Sequence, residues 1–467
     1  MSSQAFQHYT ARLRTLLNTD HNFDSIARVA SIGGRQAVFF LIDGFVKDEL
    51  FEKILEFFYS VQPDDPAMAN ADAFLARAVP YCEAEICHDM EQAATAVLSG
   101  MTCLAIDGFD KLILLDIRTY PQRDNAEPDK DKVLRGSHDG FVETLVLNTA
   151  LIRRRIRSPA LRMEYYSVGT ASHTDVCLCY MDDRVDRALL QKLQSVLEHA
   201  RVDALTMNQE SLCELLLPHR WWNPFPRFKF TERPDTAAAQ VLEGDVVVLV
   251  DNSPSVITLP TTIFDVLEEA NDYYFPPVTG TYLRLIRFLV LLLMLLLTPT
   301  WLLLLQNPGW IPESLSFIRL QENPFVPVFW QLIILELGID GLKLATLGTP
   351  DALSTSLSVI AGIVVGDFAV QSGWFSAESM LYMALVAIGG FNQPSYELGY
   401  AMKFCRLFLL AMTFALDAWG YGIALALIFL LLACTRTFSG THYLYPLLPF
   451  RWSRLRDRLL RPRLRRE

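Results

Sequence analysis

Hydrophobic positions form short runs in the first 280 residues and long unbroken runs in the rest of the chain. Residues 37–43 (AVFFLID) and 174–180 are short apolar runs of the kind that predicts buried strands. Residues 48–59, 89–98 and 184–199 instead repeat their apolar positions every three or four residues, as amphipathic helices do. The first part of the chain therefore predicts an α/β region.

Turn residues divide this α/β region. Residues 102–106 (TCLAI) and 111–117 (KLILLDI) flank a short Asp-Gly-Phe-Asp turn, which predicts a β-hairpin. Residues 121–136 combine two prolines with dense charge and predict a linker. We therefore expect two α/β subdomains, at residues 1–120 and 137–280.

A helix is predicted at residues 139–157, at the start of the second subdomain. Its last turn is strongly basic, with Arg153, Arg154, Arg155 and Arg157. Basic side chains near a helix C-terminus complement the helix dipole, and this is the simplest interpretation. Docking onto an acidic neighbour or a membrane is the alternative.

Residues 288–305 (FLVLLLMLLLTPTWLLLL) carry no charge and are long enough to cross a bilayer. Four further apolar segments are predicted to span the membrane, at residues 352–370, 376–391, 397–418 and 419–435. Residues 324–347 are apolar except for one stripe and would be a sixth crossing. The expected fold is thus an α/β N-terminal region in two subdomains followed by an all-α multi-pass transmembrane bundle at residues 281–450.

Ionisable residues inside the apolar segments are candidates for an ion path. Glu336, Asp340 and Lys343 are spaced i, i+4, i+7 and share one helix face. Such groups face a bundle interior or a water-filled path, because exposure to lipid is expensive. The alternative is an interfacial helix with this face among the headgroups. Asp417 lies either at an interfacial turn or in a pore-lining position.

Small residues recur every four positions in the predicted span at residues 352–370. Ser354, Ser358, Gly362 and Gly366 form a ridge that would let helices pack closely. Asp367 adjoins this ridge and is a further candidate for the ion path.

Charge changes the picture at the two ends of the chain. The whole protein has 41 Lys+Arg, 52 Asp+Glu and a net charge of −11. Residues 281–467 hold 15 basic and 11 acidic residues, and the first 280 hold 26 and 41. Eight arginines lie in the tail at residues 451–467, which we expect to be cytoplasmic and to meet lipid headgroups rather than nucleic acid. Arg284 and Arg287 precede the first span and favour a cytoplasmic N-terminal region.

Composition and motifs also exclude several classes of protein. Hydrophobic residues make up 51% of the chain, which excludes a disordered or collagen-like protein. The sequence contains no Walker A loop, no G-x-G-x-x-G, no H-E-x-x-H and no G-x-S-x-G. We therefore expect no enzyme activity, no cofactor and no metal site.

Four long motifs resemble the A subunits of spore germinant receptors, the GerA family. They are RGSHDGFVETLVLNTALIRRRIR (residues 135–157), NPFPRFKFTERPDTAAAQVLEGDVVVLVDNSPSVITLP (residues 223–260), TPDALSTSLSVIAGIVVGDFAV and QPSYELGYAMKFCRLF. Within the family, the chain is most similar to the stage V sporulation protein AF branch. The residues that carry the resemblance are Arg135, Gly136, Asp139, Gly140, Phe141, Glu143, Asn148, Arg153, Arg154, Arg155, Asn223, Pro224, Phe225, Pro226, Glu232, Arg233, Pro234, Asp235, Glu243, Gly244, Pro254 and Pro394.

The resemblance implies a membrane protein of the spore inner membrane. It also implies a homo-oligomer, as a ring, whose helices form an ion channel that opens early in germination. Implied partners are a permease-like subunit, a lipoprotein or a small membrane protein. Carboxylates repeated around a symmetric pore would favour monovalent cations. Asp367 departs from the uncharged polar residue expected there, which leaves ion selectivity open.

Two other functions remain open from the sequence. A non-conducting membrane scaffold would couple other germination proteins through the α/β region. A secondary transporter is the other, although the membrane segments show no internal repeat.

Overall fold

The computed structural model divides the chain into two compact units. The sheet unit comprises Met1–His219 and Phe228–Thr261, and the helical unit comprises Arg220–Arg227 and Thr262–Glu467. The structure describes residues 3–79, 83–119, 133, 135–217, 222–321, 324–347 and 371–460. Residues 262–280, which the sequence placed with the second subdomain, thus group with the helices. Most of the predicted linker at residues 121–136 lies outside the described residues.

The first sheet of the sheet unit is antiparallel, with strand order β1-β2-β4-β5-β3. Its strands are β1 (Ser25–Ile32), β2 (Arg35–Ile42), β3 (Glu83–Cys87), β4 (Thr102–Ile106) and β5 (Leu112–Asp116). Helices α1 (Ser3–Leu17) and α4 (Met90–Leu98) cover one face, and α2 (Asp48–Ser60) and α3 (Ala71–Arg77) cover the other. The predicted β4–β5 hairpin is confirmed, and its turn uses Gly108 at a φ of +87°.

The second sheet is also antiparallel, with strand order β6-β7-β9-β10-β8. Its strands are β6 (Leu161–Val168), β7 (Thr174–Met181), β8 (Lys229–Thr231), β9 (Val246–Val250) and β10 (Val256–Leu259). Helices α5 (Leu145–Arg155) and α8 (Pro234–Glu243) share a core with one face of this sheet. Helices α6 (Arg187–Glu198) and α7 (Gln209–Leu216) contact each other, and α6 contacts β6. The predicted α/β region with two subdomains is confirmed.

Helix α5 begins six residues later than the sequence predicted. Side-chain bonds hold the preceding segment in a non-helical path: the Asn148 amide both accepts from the Val142 N–H, at 2.8 Å, and donates to the Val142 carbonyl, at 2.5 Å. The Asp251 carboxylate accepts from the Leu145 N–H, which is one of the unpaired donors of the first helical turn. Tertiary contacts therefore set the start of this helix.

The helical unit follows residue 261. Its helices are α9 (Ile263–Leu267), α10 (Asn271–Tyr274), α11 (Pro277–Gln306), α12 (Val328–Leu347), α13 (Ala377–Phe391), α14 (Tyr396–Cys434) and α15 (Trp452–Leu459). Two short 3₁₀ helices, Pro308–Trp310 and Glu313–Ile318, occupy the loop after α11. The described residues of this unit form helices and connecting segments without strands, as the apolar runs predicted.

Helix α14 reverses direction at Asp417, where φ is 53° and ψ is −135°. Before the break, Arg406 bonds the carbonyl of Met294 and Phe414 accepts from Gln306, so α14 runs along α11. After the break, Tyr421 bonds Thr300, so the chain returns toward the start of α11. The two predicted helices at residues 397–418 and 419–435 are therefore the two arms of α14.

Within the described residues, α11 and α14 are the helices long and apolar enough to cross a membrane, and α13 is a shorter apolar helix. Helix α12 has the necessary length but carries Glu336, Asp340 and Lys343. The predicted span at residues 352–370 lies outside the described residues, and the count of five or six crossings stays a prediction.

Candidate functional site

An ion-paired group of four side chains joins α12 to the first arm of α14. We name it the charge cluster: Glu336, Asp340, Lys403 and Arg406. The Arg406 guanidinium donates to Glu336 across 2.6 Å, and the Lys403 ammonium lies 3.3 Å from the other Glu336 oxygen. Lys403 also pairs with Asp340. Glu336 is only 6% exposed and Arg406 only 2%, so the pair that they form is shielded from solvent.

Helical spacing brings each half of the charge cluster together. Glu336 and Asp340 are one turn apart on α12, and Lys403 and Arg406 are three residues apart on α14. Arg406 extends further and donates to the Met294 carbonyl of α11 at 2.8 Å. The cluster therefore links three helices, and its formal charges sum to zero.

A pocket of about 330 Å³ opens beside the charge cluster. The polar residues of its lining are Glu336, Asp340 and Lys403. Its walls are apolar or aromatic: Ile333, Leu337, Tyr400, Phe404 and Leu407. Two carboxylates and one ammonium group thus lie beside a largely apolar pocket.

The sequence identified the acidic half of this site and missed the basic half. Lys403 and Arg406 lie in the motif QPSYELGYAMKFCRLF, within a helix that is otherwise apolar. The signal was available, because any ionisable residue within an apolar span requires a partner. What sequence spacing alone does not supply is which acid meets which base, 70 residues apart.

The other predicted ion-path residues do not join the charge cluster in the described residues. The Lys343 ammonium lies 5.0 Å from the ring centre of Phe391, in a cation–π contact. Asp417 sits at the break in α14, where its carboxylate accepts from the Asn307 amide at 2.6 Å. Ser354, Ser358, Gly362, Gly366 and Asp367 lie outside the described residues.

A second group of ion pairs fixes the beginning of α11, and we name it the basal network. Its acidic members are Asp265, Glu268, Glu269 and Asp272, and its basic members are Arg284, Arg287 and Arg458. Asp272 is fully buried and binds both Arg284 and Arg287. Arg284 and Arg287 are thus paired with carboxylates just before the uncharged run of α11, and their effect on the orientation of this span stays a prediction.

Several residues of the resemblance motifs form internal ion pairs in the sheet unit. Arg153 is fully buried and makes a two-pronged contact with Asp24, at 3.0 and 3.1 Å. Arg155 pairs with Asp139 at 2.6 Å. The basic end of α5 thus binds acids of its own unit, through two of the four arginines considered for the helix dipole or for docking.

The motif at residues 223–260 is structural in a similar way. Arg233 is buried, pairs with Asp235 at 2.6 Å and donates to the Ser137 carbonyl. Pro234 starts α8, and Gly244 caps its end with a φ of +104°. Within the helical unit, the Asn223 amide donates to Thr435, and the Phe225 ring packs against Tyr443.

The remaining motif residues lie in connecting segments or carry backbone contacts. The Phe141 N–H donates to the Glu232 carbonyl and the Asn252 N–H to the Glu143 carbonyl. These contacts tie the segment before α5 to the 223–260 motif. Pro254 lies in the β9–β10 turn and Pro394 in the turn between α13 and α14.

Among the described residues, no group of three or more His, Cys, Asp or Glu side chains is placed to hold a metal ion. Burial raises the pKa of the Cys179 thiol to about 12, so this side chain stays protonated at neutral pH. A protonated, enclosed thiol is a packing residue rather than a ligand.

Comparisons with known proteins agree with the motifs. The family model described as "Bacillus/Clostridium GerA spore germination protein" matches residues 11–467. The chain is 40% identical over 372 residues to the stage V sporulation protein AF of Bacillus subtilis (strain 168), covering 80% of this chain and 75% of that protein. It is 28% identical over 432 residues to the spore germination protein GerLA of Bacillus cereus, covering 91% and 87%.

Among solved structures, the chain is similar to the N-terminal domain of the A subunit of the Bacillus megaterium spore germinant receptor GerK3. The match has a TM-score of 0.41 and 20% identity, and it covers 54% of this chain and 92% of that one. The family match over nearly the whole chain and the 40% identical relative decide the assignment. The chain belongs to the GerA family.

Proposed function

We propose that this protein is a membrane subunit of the germination apparatus of bacterial spores and that its helices take part in an ion-conducting path. Membership of the GerA family and the names of the relatives support the role in germination. The ion path is our extension of that role, and the charge cluster is the observation that carries it.

The surface of the helical unit supports its placement in a membrane. Large apolar side chains point outward along its helices, as with Leu289 on α11, Ile388 on α13 and Phe429 on α14. Soluble proteins rarely expose such continuous apolar surface, whereas lipid-facing helices require it. We propose the spore inner membrane as the location, with the sheet unit and the C-terminal tail on the cytoplasmic side.

Charged groups inside such a bundle are expensive, and their usual roles are ion or proton paths. Glu336 and Asp340 line the pocket and supply carboxylate oxygens, which are hard ligands suited to monovalent cations. In the paired arrangement, the Lys403 ammonium occupies the place a cation would take. Opening the path then requires the Lys403 ammonium to move away from the two carboxylates. A passing cation takes its place and compensates their negative charge.

A ring of identical subunits would repeat these carboxylates around an axis, which is the arrangement we propose for the conducting state. Other membrane subunits of the apparatus, a permease-like protein or a small partner together with a lipoprotein, would supply the signal that displaces Lys403. Neither nucleic acid nor a cofactor has a place in this scheme.

The test is ion flux through the full-length protein in vesicles, alone and with its membrane partners. Glu336→Gln should lower K⁺ or Na⁺ flux by at least about tenfold, the effect of losing about 1.4 kcal/mol of ion stabilisation. Glu313→Gln, at an exposed site after α11, is the matched control and should conduct normally. Absence of flux in every combination of subunits would sink the proposal.

The non-conducting scaffold is the second candidate, and the balance of charge in the cluster favours it. Two acids matched by two bases form a neutral ion-pair group that can serve helix packing alone. Under this alternative, Glu336→Gln and Asp367→Ala leave germination intact. Changes on the surface of the sheet unit would then abolish it.

A further inference from the structure

The C-terminal segment presents aromatic and basic side chains together on its surface. We name residues 447–460 the C-terminal platform; it contains α15. Phe450 and Trp452 are 64% and 63% exposed, and their rings lie 6.4 Å apart. Arg451, Arg454 and Arg456 are also exposed. Neither the charge cluster nor the family motifs account for this surface.

The inner face of the platform is fixed to the base of the helical unit. Leu455 is buried, and Arg458 turns inward to pair with Asp265 at 2.7 Å and with Glu268 at 3.1 Å. The Arg458 carbonyl accepts from Arg284 of α11 at 3.3 Å. Arg458 is therefore used within the protein, whereas Arg451, Arg454 and Arg456 are exposed to solvent. Of these three, Arg451 lies over the Tyr445 ring at 6.0 Å from its centre.

This attachment sets the level of the platform relative to the membrane. Arg284 lies one turn before Phe288, where the uncharged run of α11 begins. The platform, whose Arg458 backbone carbonyl accepts from Arg284, is thus held at the polar end of a membrane helix, where the headgroups lie. Tryptophan and arginine favour this layer, the ring for its mixed polarity and the guanidinium for phosphate.

We propose that the C-terminal platform docks on a bilayer surface rich in anionic lipids. The outer side carries three exposed arginines and one half-buried acid, Asp457, which lies 3.4 Å from Arg456, so its formal charge is +2. Phe450 and Trp452 enter the acyl boundary beside the headgroups, which a soluble phosphate would not offer them. The inference holds whether or not the charge cluster conducts ions.

The experiment places full-length protein in phosphatidylcholine vesicles with increasing phosphatidylglycerol, using lipids brominated near the headgroup. The quenching of Trp452 is the difference between the wild type and Trp452→Phe. Quenching should rise with phosphatidylglycerol. In Arg451→Gln/Arg454→Gln/Arg456→Gln, the affinity of the platform for the anionic surface should fall by about fivefold per arginine, the factor expected of a basic residue near such a surface. Quenching of Trp452 should then stay near its value in pure phosphatidylcholine across the phosphatidylglycerol series.

Two controls separate charge from misfolding. Replacing the same three arginines with lysine keeps the charge and should keep the phosphatidylglycerol dependence. Arg319→Gln removes an exposed arginine beyond the opposite end of α11 and should leave Trp452 unaffected. Equal quenching at every phosphatidylglycerol content overturns the proposal. So does protection of Trp452 that depends on protein concentration, because it identifies a second copy of the chain as the occupant.

Discussion

The sheet unit and the helical unit place their charges in opposite ways. The sheet unit surrounds apolar cores with exposed pairs such as Lys111–Asp72 and Arg187–Asp182. The helical unit exposes apolar side chains and buries charged ones, including Glu336, Arg406 and Asp272. The difference follows from the surroundings of each unit, since water solvates charge and lipid solvates hydrocarbon.

The comparison has an instructive exception, because the sheet unit also buries an ion pair. Asp24 and Arg153 bind chiefly to each other, whereas Asp272 shares two arginines with Glu268 and Glu269. A pair that loses one partner leaves a bare charge, while a network redistributes its remaining bonds. Two predictions test this contrast, and a third concerns the pH dependence of a buried acid in the sheet unit.

The largest expected effect is in the sheet unit. Arg153→Leu leaves the buried Asp24 carboxylate without its guanidinium partner and should destabilise the unit by about 3–5 kcal/mol. Hydrogen exchange of β7 and α5 amides in the full-length protein measures the loss locally. Arg154→Leu, one residue away and exposed, should change protection little. Equal effects of the two variants would contradict the contrast, and adding Asp24→Leu to Arg153→Leu should restore part of the stability.

A smaller effect is expected in the basal network. Asp272→Asn removes the buried charge but keeps an acceptor oxygen, and both arginines keep a glutamate partner. The expected loss is about 1.5–3 kcal/mol, as for a hydrogen bond to a charged group. Exchange of the α10 and early α11 amides gives the readout. A loss as large as that of Arg153→Leu would show that the network does not redistribute its bonds.

The smallest effect concerns pH and Asp43. Burial raises the pKa of the Asp43 carboxyl, helped by the nearby charges of Asp24 and Asp48 and opposed by the Gly44 N–H bond. An acid whose pKa is raised in the folded state contributes stability at low pH, and that stability is lost as pH rises through the folded pKa. In Asp43→Asn, the side-chain oxygen can still accept from the Gly44 N–H. The amide does not ionise, so this variant does not lose stability as the pH rises. Its stability relative to wild type should therefore increase as the pH rises from about 3.8, the ordinary pKa of this carboxyl, through its raised pKa in the folded state. A stability of Asp43→Asn relative to wild type that decreases as the pH rises would contradict the prediction.

The sequence alone predicted the character of most elements. Short apolar runs predicted the strands, as in the β4–β5 hairpin. The uncharged run at residues 288–305 predicted the central part of α11. These patterns are local: side chains two, three or four residues apart share a face whatever the rest of the chain does. The shared face of Glu336 and Asp340 is of this kind, and both side chains meet Lys403.

Tertiary structure decided everything that depends on which faces meet. It placed Arg153 against Asp24, 129 residues away, and Arg406 against Glu336, 70 residues away. It also delayed the start of α5 to Leu145 and turned the arginines before the first apolar run into members of the basal network. The sequence by itself predicted the helices and strands and whether each unit exposes polar or apolar side chains. It could do so because hydrophobic spacing depends only on residues close together in the chain. Only the tertiary packing determined which acid pairs with which base. The sequence offers several acids for each base, and the pairs form where the packed elements bring the two side chains together.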